Sequence, residues 1–355
     1  MSKDKVDCKN LSLTELENLF SGWGEPPFRA TQLLQWIYKK KVHHFNEMSN
    51  FSYELRQKLS AFAYLSSLKT KKIQTSSDGT QKFLFELEDG ETIETVLMPH
   101  RGRNTVCIST QVGCRMKCKF CLTAKQGLIR HLKVSEILNQ LLEVQLSLRV
   151  ASCAPWQSNR ITNVVMMGMG EPLDNFTNVI SALELMTHPH GLELAPRRIT
   201  VSTVGLAHKI AEFGKKTNVN LALSLNASSN EVRTSLMPMN KAYPIERLLE
   251  EIRSLYKNNK KRKIMLEYIL MDGITDSDED AYRLVKLLKG FPFKINLIPF
   301  NSHSDLTYRE PPLERIDRFQ EILKTHDIFS FIRWSKGRDV SAACGQLRSL
   351  HPTQS

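Results

Sequence analysis

Apolar side chains recur at helical spacing through residues 1–75. Leu11, Leu13, Leu16 and Leu19–Phe20 make one stripe. Phe28, Leu33–Leu34 and Trp36–Ile37 make a second, which runs into the basic Lys39–Lys41, and Leu55, Leu59 and Phe62 make a third. That period predicts three helices. The texture then changes to KKIQT, QKFLFEL and ETIETVLM, separated by the turn signals Ser77-Asp78-Gly79 and Glu88-Asp89-Gly90. Such spacing predicts a short antiparallel meander. From residue 100 onward, continuous β-branched runs appear at Val106–Ser109, Ile161–Met167, Ile199–Ser202, Val219–Ser224, Ile264–Leu270, Ile295–Pro299 and Phe329–Arg333. Helical patterns near 134–148, 175–187, 205–213, 244–256, 277–289 and 313–325 lie between them. The alternation predicts an α/β fold on a parallel sheet, either doubly wound or a full or partial barrel.

In such folds chemistry gathers at the strand ends. Four runs end in polar groups: Gly170–Glu171 after VVMMGM, Ser202 in STVG, Ser224–Leu225–Asn226 after LALS, and Asn301 after INLIPF. A single Ser or Asn there is commonly a cap or turn residue. Four together favour a ligand site.

Composition adds exclusions. The 355 residues are 41% hydrophobic and 24% charged, as expected of a globular chain. No apolar run reaches the roughly 18 residues of a membrane span. The opening MSKDKVDCKN lacks the apolar core of a secretory signal. The formal charge is +12, and it is unevenly placed. Residues 101–150 carry nine basic side chains, Arg101, Arg103, Arg115, Lys117, Lys119, Lys125, Arg130, Lys133 and Arg149, against Glu136 and Glu143 alone. A solvated face and a surface for a polyanion both fit this cluster.

Cysteine narrows the choice. Of seven cysteines, Cys107, Cys114, Cys118 and Cys121 fall within one short stretch, and the others are Cys8, Cys153 and Cys344. An odd count without an export signal points to a reducing cytosol, not to a disulfide framework. Cys114-Arg-Met-Lys-Cys118-Lys-Phe-Cys121 spells C-x3-C-x2-C. Zinc is one reading, with Cys107 as fourth ligand from a predicted strand seven residues upstream. Three thiolates also suit a [4Fe–4S] cluster with one iron left open.

That motif, with Phe120 before the last cysteine, resembles the signature of the radical S-adenosylmethionine enzymes. GMGEP at 168–172 resembles their GGE motif. VCISTQVGC (106–114), GMGEPL (168–173), APRRITVSTVG (195–205), LMPMNKAYPI (236–245), NLIPFN (296–301) and GRDVSAACGQL (337–347) resemble the blocks of one subfamily. These are the dual-specificity RNA adenine-C2 methyltransferases, acting on 23S ribosomal RNA and certain tRNAs. The resemblance runs from about Phe28 to Leu347. It implies a partial (β/α)6 TIM-type barrel at 100–337 and a helical RNA-binding accessory domain at 1–75. A β-rich connector at 76–99 would carry Glu94, and a C-terminal segment at 338–355 would carry Cys344.

The resemblance also assigns roles. Cys114, Cys118 and Cys121 hold the cluster, while Gly170, Glu171, Ser202, Ser224, Leu225, Asn226 and Asn301 contact S-adenosylmethionine, two molecules of which serve each turnover. Cys344 is the thiol that takes a methyl group from the first. A 5′-deoxyadenosyl radical from the second activates that methyl, which adds to adenine C2 and joins protein to RNA. Glu94 takes the C2 proton, and Cys107 releases the product by forming a disulfide with Cys344. An external flavodoxin-type electron donor and a monomeric cytoplasmic enzyme are implied. Asn226 stands where the family commonly has His, and Asn does not titrate near neutral pH. Two alternatives stay open: a C8 methyltransferase of the same ribosomal adenosine, and a metal-stapled RNA-binding protein without catalysis. Cys8 and Cys153 match nothing and read as small buried hydrophobes. Arg197–Arg198 fit either a structural salt bridge or a phosphate contact.

Overall fold

The computed structural model describes residues 5–151, 159–258, 263–290, 293–303 and 306–348. Cys153 lies outside them. Three helices, α1 (Leu13–Gly22), α2 (Phe28–Leu34) and α3 (Tyr53–Phe62), form the N-terminal unit. The sequence starts α1 sharply. Ser12 accepts from the Glu15 N–H while the Glu15 carboxylate accepts from the Ser12 N–H, a reciprocal cap. A π-turn, Gln35–Lys40, extends α2 into the basic run and ends at Lys41 in the left-handed region (φ 61°). The unit closes on itself through parallel pairing of Val6–Asp7 with Ala63–Tyr64.

The rest is built on one sheet of ten strands. These are β1 (Lys69–Thr75), β2 (Gln81–Glu86), β3 (Thr92–His100), β4 (Arg103–Cys107), β5 (Asn163–Met166), β6 (Ile199–Thr203), β7 (Asn220–Ser224), β8 (Ile264–Leu270), β9 (Lys294–Pro299) and β10 (Ser330–Ile332). Their order across the sheet is their order along the chain. A doubly wound sheet reverses order at a switch point, and this one never does, so the winding is that of a barrel. Strands β4 to β10 are parallel, while β1 to β4 pair antiparallel. Among the described residues β1 and β10 do not pair, so the barrel is partial.

The meander is therefore not a separate piece. It continues the barrel wall, with β3 pairing β4 from Val96↔Cys107 to His100↔Arg103. Its outer strand β1 is almost wholly exposed and carries Lys69, Lys71 and Lys72, charges that discourage edge-to-edge pairing. The parallel strands read as unbroken apolar runs because helices cover their outer face. Those helices are α5 (Val134–Ala151), α6 (Phe176–Thr187), α7 (Ala207–Lys216), α9 (Ile245–Asn258), α10 (Asp278–Leu288) and α11 (Leu313–Thr325), with the short α4 (Leu122–Lys125) and α8 (Asn230–Leu236) at the strand ends.

The N-terminal unit docks on α5. Buried Lys9 donates to Ser66 O (2.7 Å) and Asn139 Oδ1 (2.9 Å), and the Ser135 N–H donates to Asn10 Oδ1 (2.9 Å). Among the described residues no helix is long and apolar enough to cross a membrane.

Candidate active site

Strand β4 ends at Cys107, and the chain then makes a short antiparallel pair, Gln111–Gly113 with Leu128–His131, which frames the cysteine loop. Gly113 has φ +72°, and a Cβ there would lie 1.8 Å from Gly127 O, so only glycine fits this crossing. The loop is tied down by Cys114 N–H to Gly127 O (2.8 Å), Cys121 N–H to Cys118 O (3.2 Å) and Lys119 N–H to Leu236 O (2.9 Å). Met116 and Phe120 turn inward and are buried. Cys114, Cys118 and Cys121 all line one cavity at the strand ends. Burial pushes the Cys114 thiol up to about 12 and raises Cys118 and Cys121 as well. Alone, these thiols stay neutral, and a strongly cationic centre would offset the cost of ionising them.

The strand-end residues face the same cavity. Gly170, Glu171, Ser202, Ser224, Asn226 and Asn301 line it, whereas the Leu225 side chain is fully buried and lies outside its lining. Gly170 (φ +99°) leaves no room for a Cβ, which would meet Gln111 Cβ at 2.5 Å. The buried Glu171 carboxylate accepts from the Val204 N–H (2.9 Å) and the Leu173 N–H (3.1 Å). Burial nevertheless raises its pKa to about 7. Asn226 sits in the left-handed region (φ 58°). Its Oδ1, Asn301 Oδ1 and Glu267 Oε2 are buried without a hydrogen-bond partner. Unsatisfied buried acceptors around one cavity mark a place where a ligand supplies the donors.

The fit to a cluster and S-adenosylmethionine rests on these features. Three thiols on one wall suit the cluster. The carboxylate of Glu171 and the orphaned amide oxygens suit an ammonium group.

Cys344 comes from the C-terminal segment and lines this cavity too; its carbonyl accepts from Asn301 Nδ2 (3.3 Å). A second cavity shares Cys344, Arg333 and Met167 with the first and is lined by Cys107 as well. The two thiols are free, Cys107 buried and Cys344 exposed. Burial pushes Cys107 up to about 12, opposed by Arg333 and by the Met167 N–H. Glu94 lies elsewhere, outside both linings. Its carboxylate is held by Lys82 Nζ (2.9 Å) and the Arg348 N–H (3.0 Å), beneath the C-terminal segment. Burial raises its pKa against the pull of Lys82. Cys8 is fully buried, as a small hydrophobe would be. Of the arginine pair, Arg198 reaches Asn163 Oδ1 (3.5 Å) and Arg197 is exposed.

Three residues escaped the sequence reading. Glu267, on β8, lines the main cavity, accepts from Asn296 (2.9 Å) and stands 3.7 Å from Arg333. A lone carboxylate inside IMLEYIL was the available signal. Arg333, just past β10, faces both cavities and contacts Met167 Sδ (3.4 Å). Burial works against its charge, yet Cys344, Glu267 and Cys107 keep it protonated. Arg233, on α8, is wholly buried behind the wall and gave no sequence signal.

A one-way-wound partial barrel with a C-x3-C-x2-C loop at its strand ends defines a radical S-adenosylmethionine protein. Residues 108–285 match the radical SAM superfamily, and residues 6–65 match the ribosomal RNA large subunit methyltransferase N-terminal domain. The chain is 47% identical to the dual-specificity RNA methyltransferase RlmN of Syntrophotalea carbinolica, covering 97% of this chain and 90% of that one. The corresponding protein of Geobacter sulfurreducens is 45% identical, over 97% and 92%. A crystal structure of a radical SAM methyltransferase from Sphaerobacter thermophilus superposes with a TM-score of 0.90 at 38% identity, over 97% and 99%. The chain belongs to the dual-specificity RNA methyltransferases of the radical SAM superfamily.

Proposed function

We propose that the chain methylates C2 of an adenosine in 23S ribosomal RNA and of an adenosine in certain tRNAs. The observation that carries this reading is the pair of cavities sharing Cys344, one with the three loop cysteines and one with Cys107. A thiol common to two such linings is suited to receive a carbon in one and to be attacked by Cys107 in the other. Adenine C2 lies between two ring nitrogens and is too electron-poor to attack an electrophilic methyl directly. When bound by Cys114, Cys118 and Cys121, the cluster, with S-adenosylmethionine, supplies the methyl and the one-electron chemistry that makes its carbon reactive.

The residues then divide the work. Glu171 and the amide oxygens of Asn226 and Asn301 receive the cofactor's amino group, with Gly170, Ser202, Ser224 and the Leu225 backbone shaping its seat. Cys344, giving its proton to solvent, would attack the methyl carbon of S-adenosylmethionine, forming the new S–C bond as the sulfonium bond breaks and S-adenosylhomocysteine leaves. Arg333 steadies negative charge on either thiol. After the methyl carbon has joined C2, Glu94 takes the C2 proton. Its hold by Arg348 means the segment's end must shift to free it. Cys107, as thiolate, then attacks the Cys344 sulfur: the disulfide forms as the C–S bond breaks, the carbon keeps the electron pair and is protonated to methyl, and an external thiol reductant restores both thiols. Asn226 orients the cofactor by hydrogen bonding and carries no proton. Residues 1–75 and the basic stretch 101–150 grip RNA phosphates, since a flipped adenine brings its flanking phosphates to the mouth. Residues 76–99 and 338–355 deliver Glu94 and Cys344 to the core of 100–337. Turnover needs a flavodoxin-type electron donor, and the enzyme works as a cytoplasmic monomer.

The test is mass spectrometry of 23S ribosomal RNA and tRNA treated with cluster-loaded protein. Methyl at C2 is expected, and methyl at C8 overturns the regiochemistry. Cys107→Ala should accumulate RNA-linked protein; free protein alone overturns its resolving role.

A further inference from the structure

Arg233 is fully buried, and every one of its donors is occupied. Nε donates to Leu225 O (2.9 Å), and Nη1 to Asn240 Oδ1 (2.9 Å) and Tyr243 O (3.5 Å). Nη2 donates to Val204 O (2.6 Å) and Ser224 O (3.2 Å). All five acceptors are neutral. Among the described residues Arg233 makes no ion pair with a carboxylate. Tying five carbonyl-type oxygens together does not require a charge, and burying an uncompensated cation is costly. The position explains why the charge is there. Val204 and Ser224 line the main cavity, and Arg233 stands directly behind them. Cys118 lines the same cavity as Val204 and Ser224. The next turn after Arg233 pins the cysteine loop, through Lys119 N–H to Leu236 O (2.9 Å).

We infer that Arg233 is the fixed counter-charge of the cluster site and favours reduction of the centre held by Cys114, Cys118 and Cys121. The inference rests on the proposed reading of those cysteines as cluster ligands. The step concerned is the uptake of one electron from a low-potential donor, with no bond made or broken in the protein. A [4Fe–4S]2+ core with three thiolates is already anionic, and the electron adds a further negative charge. A fixed cation behind the wall, screened by little water, stabilises the reduced state more than the oxidised one. Arg233 is therefore a positioning residue by its hydrogen bonds and an electrostatic one by its charge, and the two roles separate experimentally.

The full chain is loaded with iron and sulfide anaerobically, and the cluster's midpoint potential is read by EPR during a dithionite titration with mediators. Arg233→Gln should lower the midpoint, whereas Arg233→Lys, which keeps the charge but not the five-way geometry, should stay near the parent value. Asn240→Asp sets a carboxylate at the present 2.9 Å contact and should lower the midpoint with Arg233 intact. If Arg233→Gln takes up no cluster, Asn240→Asp decides the matter. An unchanged midpoint in a loaded Gln or Asp variant overturns the inference. So does an equal fall in Gln and Lys variants, which would mark a purely structural role. If the parent chain binds no iron and sulfide, the reading of the cysteines fails instead.

Discussion

The loop of residues 113–127 and the tail of residues 337–348 each bring thiols to the same strand ends, by different physical means. The loop is part of the packed interior: its three cysteines lie beside buried Met116 and Phe120, and a glycine crossing without room for a methyl closes it. The tail lies between the meander and the loop and is tied to both by polar contacts: the Leu122 N–H donates to Gly345 O (2.8 Å) and Thr123 Oγ1 to Leu347 O (2.6 Å) on the loop side. Ser76 Oγ (2.5 Å) and the Ser77 N–H (3.0 Å) donate to Asp339, the Gly337 N–H donates to Asp78 (3.2 Å), and Lys82 donates to Ser341 O (3.3 Å). Its thiol, Cys344, is exposed. Close-packed interiors hold geometry rigidly, whereas surface hydrogen bonds contribute little each and exchange readily with water. The difference fits the proposed tasks: on that reading a cluster must not move, while a thiol that takes up a carbon and is then attacked by a second thiol must.

The largest expected effect separates the two regions outright. Cys118→Ala should bind no stable cluster and form no methylated RNA. Cys344→Ala should keep full iron and sulfide content and the parent visible spectrum, yet give neither methylated RNA nor protein–RNA adduct. Iron and sulfide assays with RNA mass spectrometry check both. Equal loss of cluster in both variants would mean that the Cys344 thiol, already in the lining of the same cavity, is needed to hold the cluster, and the distinction would collapse.

Acidification provides the next contrast, since the two regions titrate in different windows. Burial places Glu171 at about 7, above its unfolded value. It therefore adds stability below the ordinary carboxyl range, and that contribution is lost as pH rises through about 7. Binding an ammonium group needs the ionised form. Affinity of the cluster-loaded protein for S-adenosylmethionine should thus fall as pH drops below 7, approaching about tenfold per unit for one linked proton. In the tail platform, partial burial opposes the Asp78 charge, but the Thr80 and Gly337 hydrogen bonds outweigh it and hold its pKa at about 2. Its stabilising contribution is present above the unfolded carboxyl range and is lost only as pH falls through about 2. Between pH 7 and 5, then, the wall should lose affinity while the tail stays docked. Calorimetric titration across that range tests this, and a pH-independent affinity would remove Glu171 from amino-group recognition.

The same contrast explains what could be read from the sequence. The seven parallel strands and their helices were legible because burial on both faces leaves continuous apolar runs, as in Ile264–Leu270, which the structure reproduces residue for residue. The cysteine loop was legible because its three cysteines are close in sequence. Chain order alone does not choose between a doubly wound sheet and a barrel; the family resemblance did, and the observed strand order agrees. The meander's place in the barrel wall was hidden, because alternation predicts hairpins but not which strand pairs the outer edge. Glu267, Arg333 and Arg233 were hidden because their significance lies in long-range contacts. Arg233 meets Val204 only once α8 has folded across the ends of β6 and β7. Glu94 shows the opposite gap. A matching block named it, but its hold by Lys82 and Arg348 appears only in three dimensions.

The smallest expected effect probes the tail by a contact outside both cavity linings. Ser76 is buried, and its hydroxyl donates to Asp339 (2.5 Å). Ser76→Ala removes that bond and leaves the Ser77 N–H, the Asp78–Gly337 contact and Lys82 in place. One of several partly exposed hydrogen bonds should change methylation by only about two- to fivefold. Iron content and the cluster midpoint should not move, since no atom of the loop is touched. An unchanged rate would show that the polar contacts are incidental. In that case burial of Ala342, Ala343 and Leu347 holds the tail, and it belongs with the loop as a piece of packed interior.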